Sequence, residues 1–519
     1  MADSRPFRVV IGGGGISGLT FANALEKANI DYVLLEARET ISPQVGASIG
    51  FFPNGGRIMD QLGCFDQIAT KISEADNMSR FNYPTAFLER EAVLRILYDN
   101  LKDKSKIKVS KRISKVDHNS KEVIVLCEDG TAIGGDILVG CDGVHSKVRQ
   151  ELWRLSHLQE PLAIDPKDKE MLFAEYNCLF GISTDTRGVE DGAISVNYSE
   201  GLSTMIIGGK AKVFWFIFKR MDKVYKVPDI PRYTKEEAEV FAENIQDSTV
   251  MPQLQFRDIW KNRSSYTLVA TEEAQLATWS WGRIACVGDC VHKMTPNMGA
   301  GGNAAIETAA ALANELKRMV DSSEKGRPSF ETIKGKQPYK LTIYQKIREK
   351  RVTAILKAAN GLTRMHALKT WKDRLFAFWI LPFAGDTFTN LNCDMVLGAV
   401  KLDYLPVPER SLHGTMPFNA SQGLGQSESK LLRAFIALPF LFITMVASHF
   451  MLGIALPSML TRIGDILEHG VANNIGTPGV VKPLQSLFGI DFLTDIGIVY
   501  AILLIESARR ANIMTLASV

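Results

Sequence analysis

The stretch that most constrains this chain is VVIGGGGISGLTFANAL, Val9 to Leu25. An apolar run, a glycine cluster and an amphipathic run follow one another, the order of strand, tight turn and helix. Gly13, Gly15 and Gly18 fit G-x-G-x-x-G. In that pattern the first glycine allows the turn, the second lets backbone approach a pyrophosphate, and the third lets helix pack on strand. The next apolar run, DYVLLEA, carries Glu36, 18 residues after Gly18. A carboxylate there accepts hydrogen bonds from ribose hydroxyls and repels a 2′-phosphate. This βαβ unit predicts a site for the ADP half of FAD or NAD. The turn alone does not separate the two, and its competing reading is a tight turn that binds nothing.

The rest of the chain divides by pattern. Helices are expected over Gly55–Leu62 and Arg90–Leu101, and residues 107–139 alternate like strands, with a hairpin signal at Glu128–Gly130. Strand-like pieces such as GAISVNYS, STMIIGG and KVFWFIFKR mark a separate β-rich layer. A buried strand, RIACVGD, returns after it, with a helix expected over Asn303–Met319. The expected fold is α/β: an FAD-binding Rossmann-like domain (residues 1–165 and 281–335), interrupted by a β-rich substrate domain (166–280). A long basic helix (336–372) and a helical, hydrophobic, membrane-associated region (373–519) follow.

Two further segments break the tie between FAD and NAD. ILVGCDGVHSKVR is an apolar strand ending in Asp142-Gly143. RIACVGDCVHKMTPNMGAGGNAAIE ends its strand in Gly288-Asp289, then runs through Pro296 to a glycine-rich helix start. An aspartate after a buried strand can hold a ribityl hydroxyl. A helix N-terminus can stabilise negative charge on a flavin ring. With VGASIGFFPNGGRIMDQLG and FLEREAVLRIL, these motifs resemble, over roughly residues 7–370, the FAD-dependent monooxygenases of the p-hydroxybenzoate hydroxylase type. Within them the chain is similar to fungal enzymes of meroterpenoid and indole-diterpene biosynthesis that epoxidise prenyl chains.

The resemblance implies bound FAD, NADPH or NADH as a transient reductant, and O2. It places Glu36 on the adenosine ribose, Gly50 close to the cofactor by backbone, and Arg90 in cofactor contact. Asp289 falls on the ribityl or pyrophosphate region and Gly302 against the isoalloxazine. Ala300 and Gly302 depart from the family's usual Gln and Ala, but both keep a backbone N–H. The substrate-side candidate is Tyr198, which competes with a plain sheet tyrosine. His292 is expected to be a loop residue rather than a base, and Trp279 and Trp281 to be packing residues.

Composition bounds the partners. A net charge of +3 over 519 residues does not predict nucleic-acid binding. Seven scattered cysteines without a C-x-x-C pair predict a reducing compartment and no metal site. No secretory leader is read before Phe7, so the N-terminal domain is expected in the cytosol. Phe435–Pro457 holds 23 residues without Asp, Glu, Lys or Arg. As a helix it would be about 34 Å long, enough to cross a bilayer core of about 30 Å. A second candidate lies near 492–506, and Phe376–Gly385 could lie in a membrane interface; core burial competes for these two. The expected location is the endoplasmic reticulum membrane with the catalytic domain facing the cytosol. There a lipophilic prenylated substrate would meet the enzyme, with handover to a membrane terpene cyclase. Three alternatives remain open at this point: an aromatic-ring hydroxylase on the same fold, a non-oxygenating flavin reductase, and a prenyl-binding protein without activity.

Overall fold

The computed structural model describes residues 5–42, 48–73, 80–323, 326–334, 341–383, 393, 395–416 and 418. Its first layer is a six-stranded sheet. The order is Ser280–Trp281, Ile284–Cys286, Ile137–Gly140, Arg8–Gly12, Asp31–Leu35, Ile107–Lys108. All neighbours are parallel except the first pair. Val9, Val10, Ile11, Leu138 and Val139 are fully buried, as expected for parallel strands covered on both faces. Helix Ile16–Ala28 packs on helix Ala300–Asp321, whose buried alanines at 304, 309, 310, 311 and 313 let the two approach closely.

The second sheet is antiparallel. Its order is Ile194–Ser199, Leu202–Gly209, Lys212–Lys226, Phe173–Thr184, Arg263–Gln275, His292–Lys293. The last strand comes from beyond the β-rich segment: Ala274 and Gln275 pair with Lys293 and His292. One face is covered by helices Lys235–Glu243 and Phe256–Trp260, with Leu179, Trp215, Ile217 and Phe256 in the core. The opposite face turns toward Phe87, on the two-stranded antiparallel ladder of Ser48–Phe51 and Ala86–Glu89.

A buried charge cluster ties the helices together. The Glu307 carboxylate accepts from Arg348, from Arg351 at 3.0 Å and from Asn54 at 2.6 Å. Glu307 and Arg348 have no exposed side-chain surface. Burial opposes the charge on Glu307, but the two arginines outweigh it and hold its pKa down at about 2.

Several boundaries differ from expectation. The glycine-rich helix starts at Ala300, three residues before Asn303, because Gly299 turns the chain at φ 64°. The long helix runs Ile343–His366, shorter than 336–372, and Leu368 just beyond it adopts φ 47°. Residues 132–140 divide between two sheets at Asp136 instead of forming one strand. Among the described residues no helix is long and apolar enough to cross a membrane. The runs Phe435–Pro457 and 492–506 lie outside the described residues. Among the described residues no cluster of His, Cys, Asp and Glu could hold a metal.

Candidate functional site

The glycine turn is built for backbone proximity. Gly13 has φ 107°, and a Cβ on it would lie 2.6 Å from the Cys141 carbonyl oxygen. A Cβ on Gly18 would come 1.9 Å from the Gly13 carbonyl oxygen. Any side chain at either position would force strand and helix apart. Helix Ile16–Ala28 begins at Gly15 with no side-chain cap and no acidic residue in its first turn. Its free N–H groups and positive dipole end are therefore left for an anion.

Beside this turn lies a cavity of about 510 Å³, lined by Gly13, Gly15, Glu36, Arg38, Arg90 and Asp142 among others. Glu36 accepts from Gly14 N at 2.7 Å and from Arg38 N at 2.9 Å, which fixes its carboxylate at the strand end. Arg90 opens helix Arg90–Asp99, and its Nη2 would be 3.4 Å from a Cβ on Gly15. Burial lowers its pKa, and Arg38 adds to that, while Asp289 and Glu36 act the other way. Lys111, Arg112 and Lys147 also line the cavity. Backbone and cationic donors for a diphosphate, and one acidic acceptor for a ribose, meet in one cleft. The donor set fits a dinucleotide.

The two strand-end aspartates divide the work. Asp142 is spent locally: it accepts from Ser146 Oγ at 2.5 Å, Lys147 N at 2.7 Å and Val148 N at 3.1 Å. It thus helps start helix Lys147–Gln159. Asp289 carries instead a partly exposed ion pair with Lys293 at 2.7 Å. Burial opposes its charge, but Lys293, His292 and Arg90 prevail and hold its carboxyl below the usual range. It also lines a smaller cavity of about 180 Å³ with His145, Arg149 and Asp168. Asp289 is held by a side-chain cation alone, whereas Asp142 is held by the start of the next helix and lines the larger cavity.

Gly50 and Gly302 come together where strand Ser48–Phe51 meets the start of helix Ala300–Asp321, outside the lining of the larger cavity. A Cβ on Gly50 would lie 3.1 Å from Gly299 Cα, and one on Gly302 would lie 2.6 Å from Ile49 Cδ1. Gly50 therefore abuts the Pro296–Gly299 turn, and Gly302 faces strand Ser48–Phe51. Asn303, which the motif reading passed over, clamps this end. Its Nδ2 donates to Gly50 O at 2.8 Å, and its Oδ1 accepts from Phe52 N at 3.1 Å. The helix start at Ala300 has no acidic residue in its first turn, so its dipole is available to negative charge.

Phe87 links this end to the second sheet. Its ring edge lies 3.2 Å from where a Gly299 Cβ would be, and its ring centroid 6.3 Å from that of Phe216. The register puts Phe180, Phe216, Met205 and Val196 in one row across the sheet face. Phe218, Ser203 and Tyr198 form the row beside it. Tyr198 thus lies on the face turned toward Phe87, half-buried, with its ring 5.0 Å from that of His366. Burial raises its pKa. His366, another residue the sequence did not flag, is buried, and its Nδ1 lies 3.4 Å from Asn297 Nδ2 in the Pro296–Gly299 turn. Burial pushes its pKa down to about 4, so the imidazole is neutral at neutral pH. His292 is also buried and neutral, its pKa down to about 4 from burial first and Arg348 second, and it meets Thr308 at 3.0 Å. Trp279 packs against His292 in the core.

The comparisons agree with an FAD-binding fold. The family described as FAD binding domain matches residues 7–327. The FAD-dependent monooxygenase verC1 of Penicillium polonicum is 38% identical, covering 99% of this chain and 69% of that protein. The FAD-dependent monooxygenase olcE of Penicillium canescens is 35% identical, covering 81% of this chain and 94% of that protein. Among solved structures, Klebsiella pneumoniae HpxO complexed with FAD and uric acid superposes with a TM-score of 0.60. It is 20% identical and covers 78% of this chain and 98% of its own, so it speaks to the fold.

Proposed function

We propose that this chain, which belongs to the FAD-dependent monooxygenase family, epoxidises a prenyl-chain alkene of a lipophilic meroterpenoid or indole-diterpene precursor. FAD, held in the cleft and reduced by NAD(P)H, supplies the activation of O2. The chain's own residues do the rest. The glycine turn, Arg90 and Glu36 hold the nucleotide. Asn303 and the Ala300 helix start shape the ring end. Phe87, Phe180 and Phe216 exclude water and give an apolar chain a surface to lie on. Tyr198, beside neutral His366, is the polar group that orients the substrate.

The observation that carries this reading is the uncharged sheet face. The three rows from Tyr198–Val269 through Ile194–Ser265 contain no Asp, Glu, Lys or Arg. A hydrocarbon chain gains from such a surface, while an anionic substrate would be left without a partner. Aromatic-ring hydroxylation is the second reading. Arg220, paired in register with Tyr176 one row beyond Tyr198, could meet a phenolate. A reading without oxygen insertion, as in a flavin reductase, is the third. A membrane-held enzyme on the cytosolic face of the endoplasmic reticulum, passing its epoxide to a membrane terpene cyclase, suits such a substrate.

The test supplies NADPH, labelled dioxygen and a farnesylated or geranylgeranylated aromatic compound. One labelled oxygen on the prenyl chain is the expected product. Label on the ring would favour the hydroxylase, and flavin turnover without labelled product the reductase.

A further inference from the structure

The helical run that follows the long helix shows an apolar face outward. It begins with an α turn at Trp371–Leu375, continues as a π turn at Phe376–Ile380, and closes with a 3-10 turn at Leu381–Phe383. Its inner side is docked. Ala377 and Phe376 pack with Met365, Leu368 and Tyr198. Thr370 and Asp373 form a reciprocal capping box, and Arg374 pairs with Glu200 at 2.8 Å. Its outer side is bare: Trp371 is 69% exposed, Leu375 42%, Phe378 56% and Trp379 72%. Their spacing, i, i+4, i+7 and i+8, makes one stripe.

We propose that this stripe seats the protein on an anionic lipid surface and that the helix is the door between bilayer and substrate end. Three observations select lipid. Two of the four outward residues are tryptophans, whose amphipathic rings favour the headgroup level. Lys372 sits beside Trp371, its Nζ 5.8 Å from the ring centroid, and among the described residues it has no acidic partner. Lys369 and Arg374 on the same segment are already paired with Glu175 and Glu200, so Lys372 is the cation left to meet an anionic headgroup. Third, the inner side of the helix belongs to the same apolar cluster as Tyr198, so whatever leaves the bilayer there arrives beside the sheet face proposed for the substrate. The door role rests on the lipophilic-substrate reading; the seating on lipid does not.

All seven tryptophans of the chain lie at or before Trp379, so residues 384–519 are silent in tryptophan fluorescence. The full-length protein is bound to phosphatidylcholine–phosphatidylserine vesicles containing brominated phosphatidylcholine, which quenches only fluorophores within the bilayer. Strong quenching is expected, and the double variant Trp371→Phe/Trp379→Phe should lose more than half of it while still pelleting with vesicles. Equal quenching in the variant would overturn the seating, as would absence of quenching in a protein that pellets. The latter result would mean that the chain's own later residues cover the stripe. In a second arm, Leu375→Glu/Phe378→Glu should lower kcat/KM about ten-fold for a vesicle-borne prenylated substrate, as expected when apolar anchoring is lost. A short, water-soluble prenyl analogue should be oxidised at the normal rate. Equal loss on both substrates would overturn the door. If no prenylated compound is oxidised at all, the substrate reading has failed, and the quenching still decides the seating.

Discussion

The cavity that fits a nucleotide and the sheet face proposed for the substrate are made of different material. At the nucleotide end the decisive contacts are backbone: Gly13 against Cys141, Gly18 against Gly13, and Gly14 N held by Glu36. At the substrate end they are side chains on a sheet face: Phe180 and Phe216, with Tyr198 against His366. A backbone site admits few residue types, whereas a packed apolar face admits many combinations of the same volume. On the proposed reading the first end fixes the cofactor, and the second is free to change what is oxidised.

Gly13→Ala should break the nucleotide end outright. The φ of 107° and the 2.6 Å approach leave a methyl group nowhere to go. Purified protein should lack flavin absorbance. A variant with full flavin would show that the turn is not the anchor. Glu307→Gln comes next, because it strands buried Arg348 and Arg351 and should cost about 3–5 kcal/mol in urea unfolding. It lies beneath both ends, so flavin and substrate turnover should fall together with stability. A selective loss of one would place Glu307 in the site itself.

Acidification sharpens the contrast. His366 at the substrate end and His292 beneath the cleft both have folded pKa values of about 4, below the unfolded value of 6.5. A depressed histidine pKa means that the unfolded chain takes up the proton first. Their contribution is fully present above pH 6.5 and is lost as pH falls toward 4, on the order of 3 kcal/mol for each. Thermal unfolding measured across this window should show the loss, and His366→Gln should flatten part of it. An unchanged slope in that variant would mean that His366 is not the neutral group described. Glu36→Ala is smaller still. Losing one charge-assisted acceptor should weaken FAD binding by about 1.5–3 kcal/mol, read as a higher Kd in reconstitution of the apoprotein. Substrate preference should stay the same.

This division also explains what the sequence disclosed. Gly13, Gly18 and Glu36 are legible because local backbone geometry demands those residue types at that spacing. Asn303 is not, because its partners Gly50 and Phe52 are about 250 positions away and an asparagine in a helix start carries no signal of its own. Nor is His366, which owes its neutrality to burial at the end of a helix rather than to any motif. Asp142 and Asp289 end similar strands and look equivalent in sequence. Only the fold shows that Ser146 and the next helix consume the first. The long helix stops short of its expected end because Leu368 turns the chain, although the basic, helix-favouring composition continues past that point.

The most direct test of the two-ended account is a single sample of Phe180→Ala, assayed for flavin content and for product formed per NADPH consumed. Phe180 is half-buried on the sheet face and makes none of the nucleotide contacts. The account predicts full flavin occupancy with a lower yield of oxygenated prenyl product per NADPH. Flavin lost in step with product, or a yield equal to that of the unaltered protein, would contradict it.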